Sequence, residues 1–391
     1  MFDTFDLKGL ASRSEHQLVL ASVSAALGRF ETEYTRTILD QDLDWDYCFR
    51  FARRHAVLPL LYIHLAHTAV DRVPARHLTQ LKNYYHENTA RNILLAEELT
   101  RVLNSLGSRG IDAISYKGPS LAVFAYGNLA HRSFIDLDIM VSKRDVMAAK
   151  EALNSIGYQY TNRWTTAQES LLLRTQHNLP FRDKSGRFVV ELHWEVASEL
   201  FASSLQAEQL WRRLQPVNLN GVEVKTLGCE DLLLSLCVHG SRHLWERLGW
   251  ICDVAALLRK DVDWAGLLQR AETTENLRML RLGGLLAKKL LGAPLPSDLE
   301  HKLRHERDLQ RLARTVTQRL FDGAEFRSSS FSTTLSYNVR LRRDWRSRLR
   351  YLRLALMPTD ADVSKIKLPR AVSFGYYLMR PFRLLSSGRG T

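Results

Sequence analysis

Apolar residues recur three and four positions apart through most of the first hundred residues, the spacing that lines one face of an α-helix. Leu18, Leu20, Val23, Ala26 and Leu27 make one such run, ended by Gly28. Trp45, Cys48, Phe49 and Ala52 make a second, and Pro59 opens a third. A longer pattern runs through Leu78, Leu81, Tyr85, Leu95, Leu99, Val102 and Leu106 to the stop signals Gly107 and Gly110.

The period then changes. Residues 111–116 are a short apolar run between Gly110 and Gly118, which predicts a strand. Residues 119–126 predict a helix with Pro119 in its first turn. Residues 134–141, Phe-Ile-Asp-Leu-Asp-Ile-Met-Val, alternate apolar and acidic side chains, the mark of a strand with two different faces. An amphipathic helix over 144–156 ends at Gly157, and a third strand over 187–196 follows a turn at 183–186. Residues 217–225, turning at Asn220-Gly221, predict a small hairpin. Helical periods return at 231–243, 249–258, 264–275, 277–291 and 296–315. The class expected is α+β and mostly helical. A small mixed-sheet core (109–226) would lie between an N-terminal helical region (1–108) and a C-terminal helical region with a basic tail (227–391).

Composition adds little to this picture. Hydrophobic residues make up 45% and charged residues 25% of the 391, as in soluble globular chains. No stretch approaches the ~20 apolar residues that span a bilayer. The first residues lack the apolar core of a signal peptide, so the cytoplasm is the expected compartment. Cys48, Cys229, Cys237 and Cys252 form no C-x-x-C pair, which excludes a zinc ribbon and points to buried thiols.

Charge adds more. Residues 339–391 hold thirteen Lys/Arg against Asp344, Asp360 and Asp362, which is +10 of the chain's +13. Arg340, Arg342, Arg343, Arg346, Arg348, Arg350 and Arg353 are interleaved with Tyr337, Trp345 and Tyr351, and Pro358 and Pro369 punctuate the rest of the tail. Such a tail suits RNA or another polyanion, an anionic membrane surface, or docking on an acidic part of the same chain.

The chemistry concentrates between residues 117 and 191. Asp136 and Asp138 are i and i+2 on a strand, so their carboxylates leave the same face. Adjacent carboxylates repel unless a cation sits between them, and Mg²⁺, with Mn²⁺ as substitute, is the hard ion such oxygen ligands suit. Upstream, Lys117-Gly118-Pro119-Ser120 lies between a strand and a helix. Gly118 lets backbone approach a ligand, the helix start offers free N–H groups, and Lys117 and Ser120 add a charge and a donor for phosphate. Arg132 is a candidate phosphate clamp. Glu191 and His193 share a face of the later strand, which offers a third acid for a two-metal site and a supporting histidine.

These residues carry a resemblance. Gly118-x-Ser120, then Asp136-Leu-Asp138-Ile, then a later strand acid, is similar to the polymerase-beta nucleotidyltransferase superfamily. More narrowly, residues 115–127, Arg132-x-x-x-Asp-Leu-Asp-Ile-Met-Val and Val190-Glu-Leu-His-Trp resemble a bacterial group of nucleotidyltransferase family proteins. So do residues 43–46, 52–61, 236–253 and the tail motif 376–385. The resemblance implies that Asp136, Asp138 and Glu191 bind metal, that Gly118 and Ser120 form the nucleotide loop, and that an NTP is the substrate. Two departures stand out: Pro119 separates the glycine from the serine, and the third acid is Glu where Asp is usual. The implied acceptor is a small molecule or peptide in a bacterial tailoring pathway. A toxin-like transferase acting on tRNA or protein, and a non-catalytic nucleotide-binding module, are the alternatives.

His239 and His243 stand four apart on a predicted helix, with Asp253 on the next. They lack a zinc signature and are read as candidate substrate-facing residues beside Trp245 and Trp250.

Overall fold

The computed structural model describes residues 13–28, 32–160, 173, 176–198, 201, 207–321, 331–342 and 344–356. The tail motif 376–385, Pro358 and Pro369 lie outside them. Five helices come first: α1 (Ser14–Ala26), α2 (Thr32–Leu39), α3 (Trp45–Arg54), α4 (Leu58–Thr68) and α5 (Ala75–Gly107). Asp44 caps α3 by accepting a 2.8 Å hydrogen bond from the Tyr47 N–H, and Pro59 sits in the first turn of α4, where its missing N–H leaves no bond unmade.

The α/β core comes next as β1 (Ala113–Ser115), α6 (Gly118–Tyr126), β2 (Leu137–Val141), α7 (Val146–Ser155), β3 (Tyr158–Tyr160), β4 (Asn178–Asp183) and β5 (Val189–His193). The sheet order is β1-β2-β5-β4-β3. Only the β2–β5 pair is parallel; the others are antiparallel. Strands β3 and β4 are additions to the sequence reading. Tyr158-Gln-Tyr is too short for a period, and Asn178-Leu-Pro-Phe-Arg-Asp contains a proline that argues against a strand. Pairing with β5 on one side and β3 on the other nonetheless holds β4 extended.

After α8 (Ala207–Arg212), β6 (Gln215–Leu219) and β7 (Val222–Thr226) form the expected hairpin. Its turn residues Asn220 and Gly221 have φ of +51° and +91°, as a two-residue hairpin turn of this twist requires. Helices α9 (Cys229–Arg242), α10 (Leu248–Leu257), α11 (Trp264–Thr273), α12 (Leu277–Leu291), α13 (Ser297–His305), α14 (Arg307–Phe321), α15 (Phe331–Leu341) and α16 (Trp345–Leu356) complete the described chain. The single helix expected over 296–315 is two, broken at Glu306. All four cysteines are buried and free. No described helix is long and apolar enough to cross a membrane.

Two apolar clusters organise these elements. One lies under the sheet, where Leu137, Ile139, Val141, Val190 and Leu192 meet Leu99, Val102 and Leu106 of α5 and Ala149 and Leu153 of α7. The other joins α1, α3 and α4 to α9, α10, α12 and α14, so the first and last helical regions share one core. The face of β2 and β5 that carries Asp138, Glu191 and His193 is the one opposite the first cluster, because alternate strand residues point opposite ways.

Burial also silences several histidines. It pushes His55 down to about 3 and His16 down to about 4. The Leu248 N–H donates to His55 Nδ1 at 3.2 Å, so that ring is a neutral acceptor. A folded pKa below the unfolded value near 6.5 contributes stability that is full above pH 6.5 and lost as pH falls towards the folded value. Each of these histidines should cost about 1–2 kcal/mol of stability by pH 5. Urea unfolding should therefore show a lower midpoint at pH 5 than at pH 7.5, with part of the difference absent in His55→Gln. Equal midpoints would contradict the neutral buried state.

Candidate active site

The site is assembled by β2, β5, the turn between β1 and α6, and α9. On the parallel pair β2–β5, Asp138 stands directly beside Glu191 and Met140 beside His193. Parallel neighbours in register lie about 4.8 Å apart, so the two carboxylates are forced together. Asp138 is only 4% exposed. Its Oδ1 accepts from Lys117 Nζ and from His193 Nε2, each at 3.1 Å. His193 Nε2 also lies 3.3 Å from Glu191 Oε2, which accepts from Asn178 Nδ2 at 2.8 Å. Two carboxylate neighbours require that Nε2 carry the proton. Tyr116, fully buried, meets the other ring nitrogen at 3.2 Å and sets the ring edge-on to its own.

The charge states result from these contacts. Burial alone would push Asp138 up, yet Lys117 and His193 hold it well below the usual carboxylate range. Glu191 is lowered chiefly by its hydrogen bond to His193. Burial opposes the charge on Lys117, and Asp138 overcomes it, so the amine stays protonated. His193 is raised in the same way, its hydrogen bonds to Asp138 and Glu191 outweighing burial. Asp136 is the exception. Burial, then the charges of Asp138 and Glu191, push its carboxyl up to about 6.

Asp136 sits just before β2, not on it. Ile135 is 69% exposed, which departs from the alternation expected over 134–141, because the strand starts only at Leu137. The residues whose ligand atoms all lie within 4.8 Å of one another are Asp138, Glu191 and His193. His193, read from the sequence as a supporting residue, is thus part of the cluster. The surplus negative charge felt by Asp136, together with the two carboxylates converging from adjacent strands, fits a divalent cation, with the Nε2–H of His193 bracing the carboxylates rather than binding it.

Gly118 begins α6 with φ +52°, and a Cβ there would meet the Asp136 carbonyl oxygen at 3.1 Å. Glycine is needed because the loop turns left-handed against the acidic strand. Ser120, the expected phosphate donor, is fully buried and its hydroxyl has no hydrogen-bond partner.

Arg132 is committed elsewhere. Its Nε and Nη2 donate to the two oxygens of Asp253 at 2.8 and 3.0 Å, and Tyr126 adds a 2.7 Å hydrogen bond to the same carboxylate. The pair ties the approach to β2 onto α10. Asn88 and Asn92, one turn apart on α5 and fully buried, both donate to the Arg132 carbonyl, at 3.2 and 2.8 Å. Their i, i+4 spacing on an otherwise apolar stripe was the available sequence signal.

Helix α9 brings His239 and His243 up to the acids. The two rings lie 4.8 Å apart, and both pack against Trp250, at 5.0 and 5.5 Å. Burial, then Lys117, holds His239 neutral. Arg242 donates to His177 Nε2, so His177 carries its proton on Nδ1. His177 in turn packs 5.9 Å from His193. Tyr116, His177, Asn178 and Arg242 were not singled out from sequence; the last three needed the tertiary packing to reach the site. Asp253 does not join His239 and His243, being bound to Arg132.

Among curated proteins, none matches the chain. A crystal structure of an antigenic nucleotidyltransferase-like protein from Paracoccidioides brasiliensis is similar at 16% identity, covering 54% of this chain and 96% of that one with a TM-score of 0.33. That likeness is too slight to bear on the site. The family profile described as "Uncharacterised nucleotidyltransferase" matches residues 41–292. That span is more than half of the chain and takes in Lys117, both aspartates, Glu191, His193 and helix α9, so this protein belongs to that nucleotidyltransferase family.

Proposed function

We propose that the protein moves a nucleoside monophosphate from an NTP to an acceptor hydroxyl or phosphate, releasing pyrophosphate, with Mg²⁺ as the working ion and Mn²⁺ as its substitute. The observation that carries this reading is the in-register pair Asp138–Glu191, bridged by His193 and faced by Lys117. Asp136, Asp138 and Glu191, with His193 beside them, would hold the cation. When bound, it would offset triphosphate charge and lower the pKa of the attacking hydroxyl.

The remaining roles belong to the chain. Lys117, kept protonated by Asp138, offers a fixed positive charge at the mouth of the turn. The free N–H groups at the start of α6, with Gly118 allowing close approach, suit phosphate oxygens. His193, oriented by Tyr116, keeps Asp138 and Glu191 ionised and in place. Ser120, buried in the first turn of α6, is left out of the phosphate contacts, and Arg132 acts by positioning the approach to β2. His239, His243 and Trp250 form an aromatic wall suited to a base or to the acceptor. A small molecule or peptide is the acceptor this reading favours, as the sequence resemblance implies.

Incubation with each labelled NTP, Mg²⁺ and a cell extract as acceptor source tests the reading. Label should pass to an acceptor from at least one NTP, and EDTA should stop it. Transfer that persists in Asp136→Asn/Asp138→Asn would sink the mechanism. Label in tRNA would favour the toxin-like alternative, and binding without transfer from any NTP would favour a non-catalytic module.

A further inference from the structure

Helices α12, α14, α15 and α16 line an open cavity of about 480 Å³ that shares no residue with the acidic site. Arg278, Arg311, Arg340, Arg342 and Arg348 line it, against one acid, Asp308. Five guanidinium groups around one space repel one another, and such a set is stable only with compensating negative charge.

The described residues supply that charge to only two of the five. Arg311 and Asp308 pair at 3.6 Å on the open surface, and Arg278 pairs with Glu306 at 3.6 Å. Arg340, Arg342 and Arg348 have no carboxylate within ion-pair distance among the described residues. Arg342 is the telling case, at 6% exposure. Its guanidinium donates to the carbonyl oxygens of Asn338 and Phe201 and stacks over the Tyr351 ring at 4.2 Å, all neutral partners. The Nε of Arg278 is also buried without a hydrogen-bond partner. A neighbouring cavity of about 220 Å³ shares Arg278 and Arg342 but is lined by Glu272, Glu275, Glu306 and Asp344 as well. The charge imbalance therefore belongs to the larger cavity.

The geometry points to this cavity as a second ligand site, one that takes a small molecule bearing two or more phosphate groups. Arginine forks match phosphate oxygens in pairs, and the volume is that of a small-molecule pocket. Arg340 and Arg348, exposed at the rim, would capture the ligand, and Arg342 and Arg278 would complete its hydrogen bonding inside. Part of the basic C-terminal segment would then be a built anion site, not a diffuse charged surface.

The test is calorimetric titration of the full chain with sodium tripolyphosphate in EDTA. One site should be seen, and it should persist in Asp136→Asn, which removes an acid of the first site without unpairing Lys117. The charge reversal Arg340→Glu/Arg348→Glu, at exposed positions, should weaken it on the order of 100-fold. Arg340→Lys/Arg348→Lys should retain most of the affinity, which separates loss of the site from loss of the fold. Binding unchanged by the reversal, or abolished by Asp136→Asn, would overturn the assignment. So would absence of tripolyphosphate binding, including the case in which single-stranded RNA or phosphatidylserine vesicles bind instead.

Discussion

Asp136→Asn should lower nucleotidyl transfer on the order of 10³-fold while leaving the fold as stable as before, or more stable. The two effects separate because this carboxylate is the strained member of the set. Burial and the charges of Asp138 and Glu191 raise it to about 6. At pH 7.5 it is ionised against those forces, so a neutral isostere should add on the order of 1–2 kcal/mol of stability. Asp138→Asn cannot make this distinction. It would strip the buried Lys117 amine of its carboxylate partner, and a buried unpaired charge is itself strongly destabilising. Urea unfolding and transfer assays on Asp136→Asn measure both quantities. Unimpaired transfer would remove Asp136 from the mechanism, and a stability loss parallel to the activity loss would refute the repulsion argument.

The second large effect concerns Arg132 and Asp253. Removing either partner, as in Arg132→Met or Asp253→Leu, should cost about 3–5 kcal/mol, because the pair is bidentate and almost fully buried. Replacing both at once should recover much of the loss, since two apolar side chains leave no orphaned charge, although Tyr126 would lose its acceptor. Chemical denaturation of the two single variants and the double variant closes a cycle whose coupling should be favourable by several kcal/mol. The same variants decide what Arg132 does. If Arg132→Lys kept stability but weakened NTP binding, the side chain would be holding phosphate. The contacts with Asp253, Asn88 and Asn92 instead lead us to expect stability and site geometry to fail together.

The outcome at Arg132 illustrates what a linear reading of the chain can reach. An arginine just before an acidic strand is an obvious phosphate ligand until its partner, 121 residues away, is known. Ser120 is similar: a serine after a glycine suggests a phosphate loop, but in the first turn of α6 it is fully buried. His193 shows the reverse. Its spacing from Glu191 put it on the right face, and only the parallel pairing of β5 with β2 revealed that its Nε2 bridges two carboxylates.

Local chemistry was legible in the chain because it depends on neighbours. The long helix at 75–107, the hairpin at Asn220-Gly221, the buried free cysteines, the strand that carries Asp138, and the glycine turn at Gly118 arise from periodicity, backbone freedom and side-chain type over a few residues. Strands β3 and β4, the neutral histidine wall of α9, the Arg132–Asp253 tie and the arginine-lined cavity depend on which distant segments meet. Short strands gain stability only from their partners, and a charged side chain takes its role from the partner that burial assigns to it. The amino-acid order alone therefore determined which residues could do the chemistry, and the tertiary structure decided which of them are free to do it.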